Sequence, residues 1–364
     1  MVVMSEGRRL KVALDAFGSD RRPDPEVEAA LLAAKDGLAL ELVGDRAVLD
    51  AKLAERGSDR AGLEIVHAPS QISMDASAAR AVRAQPDASL CVAVDRLAAR
   101  EVDAVVSAGN SGALLAAALL RLGRCVGLDR PAIATSLPRA DQLDDPAGRT
   151  VLLDAGANVE CKVLNLVQFA VVGAAYSRIE YGVARPRVAV LANGRESVKG
   201  TALTRGAHGI LSGHPSDSFE FVGYVEPNEL FSARCDVAVT DGWTGNVALK
   251  LAEGAMAAWP RMLRAALAEI GSKAPDTEGE AAIAAAIDAG LQLVARHLDP
   301  EAHGGAPLLG VDGAVMICHG AAGPRAILNA VIAARRFAER GLTEAIGDAL
   351  EDHTELFELA RKLP

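Results

Sequence analysis

DAVVSAGNSGALLAAALLRL, residues 103–122, reads as a strand, a turn and a helix in that order. Ala104–Val106 is an uninterrupted apolar run, as expected of a strand covered on both faces. Ser107–Gly112 is small and polar, and from Ala113 onward Leu and Ala recur as they do along a helix. A helix start leaves about four backbone N–H groups without partners and about half a unit of positive charge. Gly109 and Gly112 allow close approach of the backbone to a ligand. Asn110 and Ser111 either cap the helix or contact that ligand. The turn is a candidate anion cradle, with Ser107, Gly109, Asn110, Ser111 and Gly112 as its residues.

The same unit recurs along the chain. Leu10–Leu14, Leu40–Val43, Leu63–His67, Val151–Leu153, Arg187–Leu191, Val237–Val239 and Ala314–Cys318 read as strands. Helices are expected from Asp24 to Gly37, from Ser89 to Arg100 and from Pro324 to Arg340. This alternation predicts a single α/β catalytic domain over 8–364, with a mostly parallel sheet and ligands outside the carboxyl ends of its strands. One stretch departs from it. Residues 247–298 are almost wholly helical, interrupted by Pro260 and by GSKAPDTEG (271–279), and read as a projecting helical hairpin that packs a partner subunit.

Composition bounds the function. Only 3% of the 364 residues are aromatic and the net charge is −10, which argues against nucleic-acid binding. The five cysteines are scattered with no C-x-x-C pair, as for reduced thiols in a cytoplasmic protein. The N-terminus does not read as a signal peptide, and no run is apolar enough to span a membrane. Histidine spacing suggests no metal site. There is no G-x-G-x-x-G after the first strand, no Walker A sequence and no G-x-S-x-G elbow, and no cofactor is expected.

Other turns share the layout of SAGNSG. In DGWTGN (241–246), Asp241, Gly242, Thr244, Gly245 and Asn246 precede a helix that places Lys250 one turn along. DAGAN (154–158) contributes Asp154, Gly156 and Asn158 and is followed by Lys162. ANGRES (192–197) contributes Asn193 and is followed by Lys199. DAFGSD (15–20) contributes Asp15, Gly18 and Asp20, and His319 follows the last strand. The chain has eight lysines against thirty arginines, and three of the eight stand just downstream of these turns.

Together with HAPSQISMD (67–75), DRPAIA (129–134), LVQFAVVG (166–173), FVGYVEPNELF (221–231) and GGAPLLGVDGAVMICHG (304–320), these turns resemble the PlsX family, the phosphate:acyl-carrier-protein acyltransferases of bacterial phospholipid synthesis. The resemblance runs from about Lys11 to about Arg340. It implies the reaction acyl-ACP + orthophosphate → acyl phosphate + ACP, feeding a glycerol-3-phosphate acyltransferase downstream. It also implies a homodimeric three-layer α/β/α sandwich like that of phosphotransacetylases and isocitrate dehydrogenases. In some members the tip of the helical hairpin makes a peripheral membrane contact. The chain departs from the family pattern at Ser19, where Gly is usual, at Ala321 and Ala322, where Ser is common, and at Arg195, where many relatives are acidic.

Orthophosphate is itself the nucleophile in that reaction, and a thiol is a fair leaving group, so little acid–base help is needed. Positioning supplies roughly 7–11 kcal/mol and one oxyanion donor roughly 3–4. The expectation is that SAGNSG and DGWTGN hold phosphate and oxyanion between them. Lys162, Lys199 or Lys250 neutralises charge, Asn246 and His319 donate, and Asp154 and Asp241 orient the donors. An acidic carrier protein would dock on arginines, with Arg261 and Arg264 on the hairpin and Arg335 and Arg336 on the last helix as candidates. The alternatives are a phosphotransacetylase-type enzyme using acyl-CoA, an NAD-linked decarboxylating dehydrogenase, and a non-catalytic acyl- or phosphate-binding regulator.

Overall fold

The computed structural model describes residues 9–57, 62–143, 145, 147–271, 285–290, 292 and 304–363. Its strands are β1 (Lys11–Asp15), β2 (Ala39–Gly44), β3 (Leu63–His67), β4 (Ala104–Ser107), β5 (Ala132–Pro138), β6 (Arg149–Leu153), β7 (Arg187–Leu191), β8 (Glu220–Val225), β9 (Val237–Val239), β10 (Ala306–Leu309) and β11 (Ala314–Ile317). The helices are α1 (Asp24–Lys35), α2 (Arg46–Glu55), α3 (Ala78–Ala84), α4 (Ser89–Ala98), α5 (Ser111–Arg121), α6 (Val163–Tyr181), α7 (Ala202–Gly213), α8 (Gly242–Gly271), α9 (Pro324–Glu339), α10 (Leu342–Asp352) and α11 (Thr354–Ala360).

The strands form one sheet in the order β3-β2-β1-β4-β11-β10-β5-β6-β9-β7-β8. Side-chain alternation divides the core into layers. Val12, Leu14 and Val106 face the layer of α1 and α9, while Ala13, Val105 and Val315 face the layer of α4 and α5. The apolar strand runs are covered on both sides, as their sequence requires.

Two parallel halves meet through antiparallel neighbours. β3, β2, β1, β4 and β11 run together, and so do β6, β9, β7 and β8. β10 pairs antiparallel with β11 and β5, and β5 antiparallel with β6. Ile317 stands beside Ala306. Leu153 stands beside Ala134, which the β10–β5 register places at Pro307. The carboxyl ends of β11 and β6 are thus level to within one residue, three strand steps apart, or about 14 Å across a flat sheet.

The projecting segment differs from the expectation. α8 is continuous from Gly242 through Pro260 to Gly271. Pro260 removes the N–H that would bond to the Met256 carbonyl, but the helix is partly exposed there and water can take that acceptor. The returning arm of the expected hairpin lies mostly outside the described residues, and 285–290 are helical.

A helix start can reach a strand end only where side chains are absent. A Cβ on Gly245 would stand 1.9 Å from the Asp154 carbonyl oxygen, whereas one on Gly209 in α7 would meet nothing within 4 Å. Gly245→Ala is expected to cost about 1–3 kcal/mol by overpacking. Gly209→Ala is expected to stabilise by about 0.5–1 kcal/mol. Urea midpoints of the two variants check this contrast.

Candidate active site

The turns at the strand ends gather into two groups, each built around a helix N-terminus between two neighbouring loops. In the first, α5 follows β4, and β4 lies between β1 and β11. Asp15, at the end of β1, is buried. Its Oδ1 accepts the Ser89 hydroxyl (2.6 Å) and the Phe17 N–H (3.2 Å), and its Oδ2 accepts the Ser107 hydroxyl (2.6 Å). Burial pushes this carboxyl above its ordinary range, against the pull of those hydroxyls. The Gly109 N–H donates to Ser107 Oγ. Gly18 lies so close to Gly109 that a Cβ would stand 2.6 Å from its nitrogen. The Asp20 N–H donates to the Gly320 carbonyl at 2.8 Å, which ties in the turn after β11.

Asn110 is committed to capping and to a neighbouring loop. Its Oδ1 accepts the Ala113 N–H, and its Nδ2 donates to the carbonyls of Ser73, Met74 and Ala76. The Ser111 and Gly112 N–H groups make no hydrogen bond among the described residues. His319 is exposed, and its Nδ1 accepts the Ala321 N–H at 3.1 Å. The neutral ring therefore carries its proton on Nε2, free to donate.

In the second group, α8 follows β9, which lies between β6 and β7. The Asp154 carboxylate is fully buried and accepts five bonds. Oδ1 takes the N–H groups of Ile133, Gly156 and Ala157; Oδ2 takes the Asn158 N–H and its side-chain amide. Burial pushes the Asp154 carboxyl up, and these donors pull it back without cancelling the rise. Asn158 also donates to the Pro131 carbonyl, and its own carbonyl accepts the Gly242 N–H at 2.7 Å. Gly156, at φ +139°, sits 3.5 Å by its absent Cβ from Asn246. Asn246 is exposed and its side-chain amide has no partner among the described residues.

DGWTGN is not a turn before a helix, as the sequence suggested. Asp241 caps α8 by accepting the Thr244 N–H and hydroxyl, so the helix begins at Gly242. Of its first donors, Gly242, Thr244 and Gly245 are bonded within the chain, and Trp243 alone has no partner among the described residues. The early start also moves Lys250. It stands eight residues along the helix, about 12 Å from Gly242, and its ammonium is paired with Glu253 at 2.8 Å. Lys162, the N-cap of α6, and Lys199, beyond β7, are exposed, and among the described residues their ammonium groups have no hydrogen bond or ion pair. Asn193 is occupied, its Oδ1 accepting the Gly200 N–H.

No hydrogen bond joins the two groups among the described residues. SAGNSG and the start of α8 therefore do not form one cradle by direct contact. Among the docking candidates, Arg336 is bound to Glu180, Arg264 stands 3.7 Å from Asp288, and Arg261 bonds its own helix at the Ala257 carbonyl. Arg335 is half-buried with an unpartnered Nε. Two features escaped the sequence reading. Arg130, exposed before β5, reaches the field of Cys161 beside the second group. Arg80 and Arg83 of α3 are exposed, and α3 packs on α5 where Ala78 meets Gly112.

A sequence model of the family described as "Fatty acid synthesis protein" matches residues 10–345. The chain belongs to that family. The resemblance to the PlsX family read from the sequence is thereby borne out. Among relatives of this fatty acid synthesis family chain, the phosphate acyltransferase of Myxococcus xanthus is 45% identical over 346 residues, covering 93% of this chain and 94% of that protein. The phosphate acyltransferase of Geobacter sulfurreducens is 40% identical over 343 residues, covering 94% of each. The fold resembles EutD phosphotransacetylase from Staphylococcus aureus, with a TM-score of 0.55, 16% identity, and coverage of 91% of this chain and 95% of that one. It also resembles a phosphotransacetylase from Streptococcus pyogenes, with a TM-score of 0.56, 16% identity, and coverage of 92% and 95%. At these identities the likeness is one of fold.

In this family member, Arg195 is engaged by Glu229, so its charge is matched locally. Burial pushes the Glu229 carboxyl up, but the Glu226 N–H and Arg195 outweigh it and hold the group below its usual range. Ala321 contributes only its backbone, through the bond to His319.

Asp154→Asn puts an amide N–H where donors now point. It is expected to lower stability by at least about 1–3 kcal/mol, the cost of a buried donor left unpaired. Asp241→Asn exchanges one good cap for another and is expected to cost a few tenths of that. Urea denaturation of both variants is the check.

Proposed function

We propose that this chain transfers the acyl group of acyl-ACP to orthophosphate, releasing acyl phosphate and ACP. The observation that carries the reading is the pair of ammonium groups, Lys162 and Lys199, that have no partner among the described residues and stand on the loops either side of the α8 start. That arrangement suits a small multivalent anion. The turns of the first group, 15–20, 107–112 and 319–320, hold no lysine. Orthophosphate is placed at the second group, with Lys162, Lys199, the Trp243 N–H and Asn246 as its donors. Arg130 adds positive charge from the β5 side. The first group, with the Ser111 and Gly112 N–H groups and His319 Nε2–H, is assigned to the acyl donor. The phosphate acyltransferase relatives support the same reaction over nearly the whole chain.

Direct attack by phosphate also agrees with the thiols. Burial pushes every one of the five up: Cys91 above its ordinary range, Cys125 to about 11, and Cys161, Cys235 and Cys318 to about 12. None is poised as a thiolate nucleophile. Phosphate needs no activation near neutral pH. It needs its charge met in a dry, fixed place, and the thioester oxygen needs a donor as it becomes an oxyanion.

The partners follow from α8. Trp243, Val247 and Leu251 recur every four residues and are 62%, 49% and 73% exposed, a stripe suited to a second copy of this chain. Further along, Trp259 and Met262 lie beside Arg261 and Arg264, a surface suited to an anionic carrier or a membrane face. No helix among the described residues is long and apolar enough to cross a membrane.

Lys162→Ala and Lys199→Ala are each expected to raise KM for phosphate about tenfold or more, the scale of a charge-assisted hydrogen bond. Lys250→Ala should leave it within about twofold. His319→Ala should raise KM for acyl-ACP and leave that for phosphate alone. Initial rates of acyl-phosphate formation test all four. An unchanged phosphate KM in both Lys162→Ala and Lys199→Ala would remove the assignment. Comparing acyl-ACP with acyl-CoA as donor separates this reading from a phosphotransacetylase.

A further inference from the structure

The loop from β7 to α7, residues 193–200, is anchored at both ends. At the near end the Ala192 N–H donates to the Val225 carbonyl at 3.0 Å and so continues the pairing of β7 with β8. At the far end Thr201 caps α7. Its hydroxyl accepts the Thr204 N–H at 3.2 Å, and Thr204 Oγ1 accepts the Thr201 N–H at 2.8 Å. Gly200 is fitted over that cap at φ +84°, where a Cβ would stand 2.2 Å from Thr204 Oγ1. Asn193 then joins the two ends, its Oδ1 accepting the Gly200 N–H at 2.9 Å.

Lys199 leaves the backbone beside the far anchor, and its side chain runs back to the near one. The Lys199 N–H is bonded to the Glu196 carbonyl at 2.9 Å. A Cβ on Gly194 would stand 2.9 Å from Lys199 Cγ and 3.3 Å from its Cδ. Carbon atoms settle at about 3.5–4.0 Å from one another, so the lysine stem occupies space that a side chain at 194 would need. Gly194 is buried, whereas Asn193 and Arg195 on either side of it are exposed. Its backbone does not require glycine, since it is not among the residues at positive φ. What the position requires is the missing side chain.

We propose that Gly194 and Asn193 are positioning residues for Lys199. Gly194 is the bed on which the stem lies, and the Asn193 clasp fixes the distance from that bed to the Lys199 backbone. Together they hold the ammonium group ready beside the α8 start. This rests on the assignment of orthophosphate to the second group. A lysine stem is flexible and ordinarily spreads its charge over a wide volume. Ordering it before the anion arrives removes a cost that binding would otherwise carry. Asn193, which the sequence offered as a phosphate contact, acts here through the loop.

The test titrates inorganic phosphate into the protein without acyl-ACP and measures phosphate KM and kcat alongside. Gly194→Ala puts a methyl group into the bed, and Asn193→Ala opens the clasp. Each should weaken phosphate binding and raise phosphate KM about three- to tenfold, the scale of ordering one long side chain. For both, kcat should stay within about twofold, because only the binding of phosphate is altered. In a Lys199→Ala background Cγ and Cδ are gone, and neither substitution should change phosphate affinity by more than about twofold. Wild-type phosphate affinity in both Gly194→Ala and Asn193→Ala would overturn the proposal. So would an effect that persists undiminished in the Lys199→Ala background. It would then act through Glu196, whose Oε2 lies 3.0 Å from the added methyl position, or through direct contact of Asn193 with phosphate. Urea midpoints show that the variants are folded, and Asn193→Ala carries the test if the methyl group is not tolerated. If Lys199→Ala itself leaves phosphate affinity unchanged, the placing of orthophosphate at the second group fails and the positioning roles fail with it.

Discussion

Asp154 is fully buried just past the end of β6 and accepts five hydrogen bonds, and the shape of the second group depends on that concentration of negative charge. A bare carboxylate in a dry place must be met by donors or give up its charge. The chain meets it by curling 156–158 back over the strand end, so that their N–H groups point inward. That curl exposes the Asn158 carbonyl to the first N–H of α8, and α8 can approach because Gly242 and Gly245 lack side chains. Asp15 does the same for the first group through two serine hydroxyls. Each half of the sheet thus uses a buried acid to seat a helix start against a strand end.

What differs between the halves is the kind of group left over. Around α8 the groups without a partner among the described residues include Lys162, Lys199, the Asn246 amide and one backbone N–H, with the Glu160 and Glu196 carboxylates on the same loops. Around α5 they include two backbone N–H groups, a histidine N–H and the Asp20 carboxylate, with Arg80 and Arg83 on the neighbouring α3. A helix start offers about half a charge to an anion, and the two ammonium groups beside α8 add to that pull there. The antiparallel pair β10 and β5 brings the two groups to one level, so a long donor can extend between them.

Much of the frame was legible because apolar runs of five or fewer residues bounded by Gly, Asp and Asn leave little freedom. Leu63–His67, Arg187–Leu191 and Val237–Val239 are strands with the bounds read from sequence. β5, β8 and β10 were not read. β5 mixes Thr135 and Ser136 into its run, β8 contains Gly223 at φ +86°, and β10 carries Pro307, which argues against a central strand. DGWTGN was misread because two glycines suggest a turn, although Asp241 with Thr244 three residues on is also a cap signal. That error carried Lys250 toward the site. Four of the five donors to Asp154 lie within four residues of it, but the burial that makes them necessary, and the fifth donor from Ile133, depend on packing between distant strands.

The central claim is that bound orthophosphate attacks the thioester directly, with no acyl group passing through the protein. Mixing the enzyme with acyl-labelled acyl-ACP in phosphate-free buffer, and then adding orthophosphate, tests it most directly. The account predicts no release of ACP and no label on the protein until phosphate arrives, followed by acyl phosphate. A burst of ACP equal to the enzyme, with the acyl label bound covalently to the chain before phosphate is added, would contradict it.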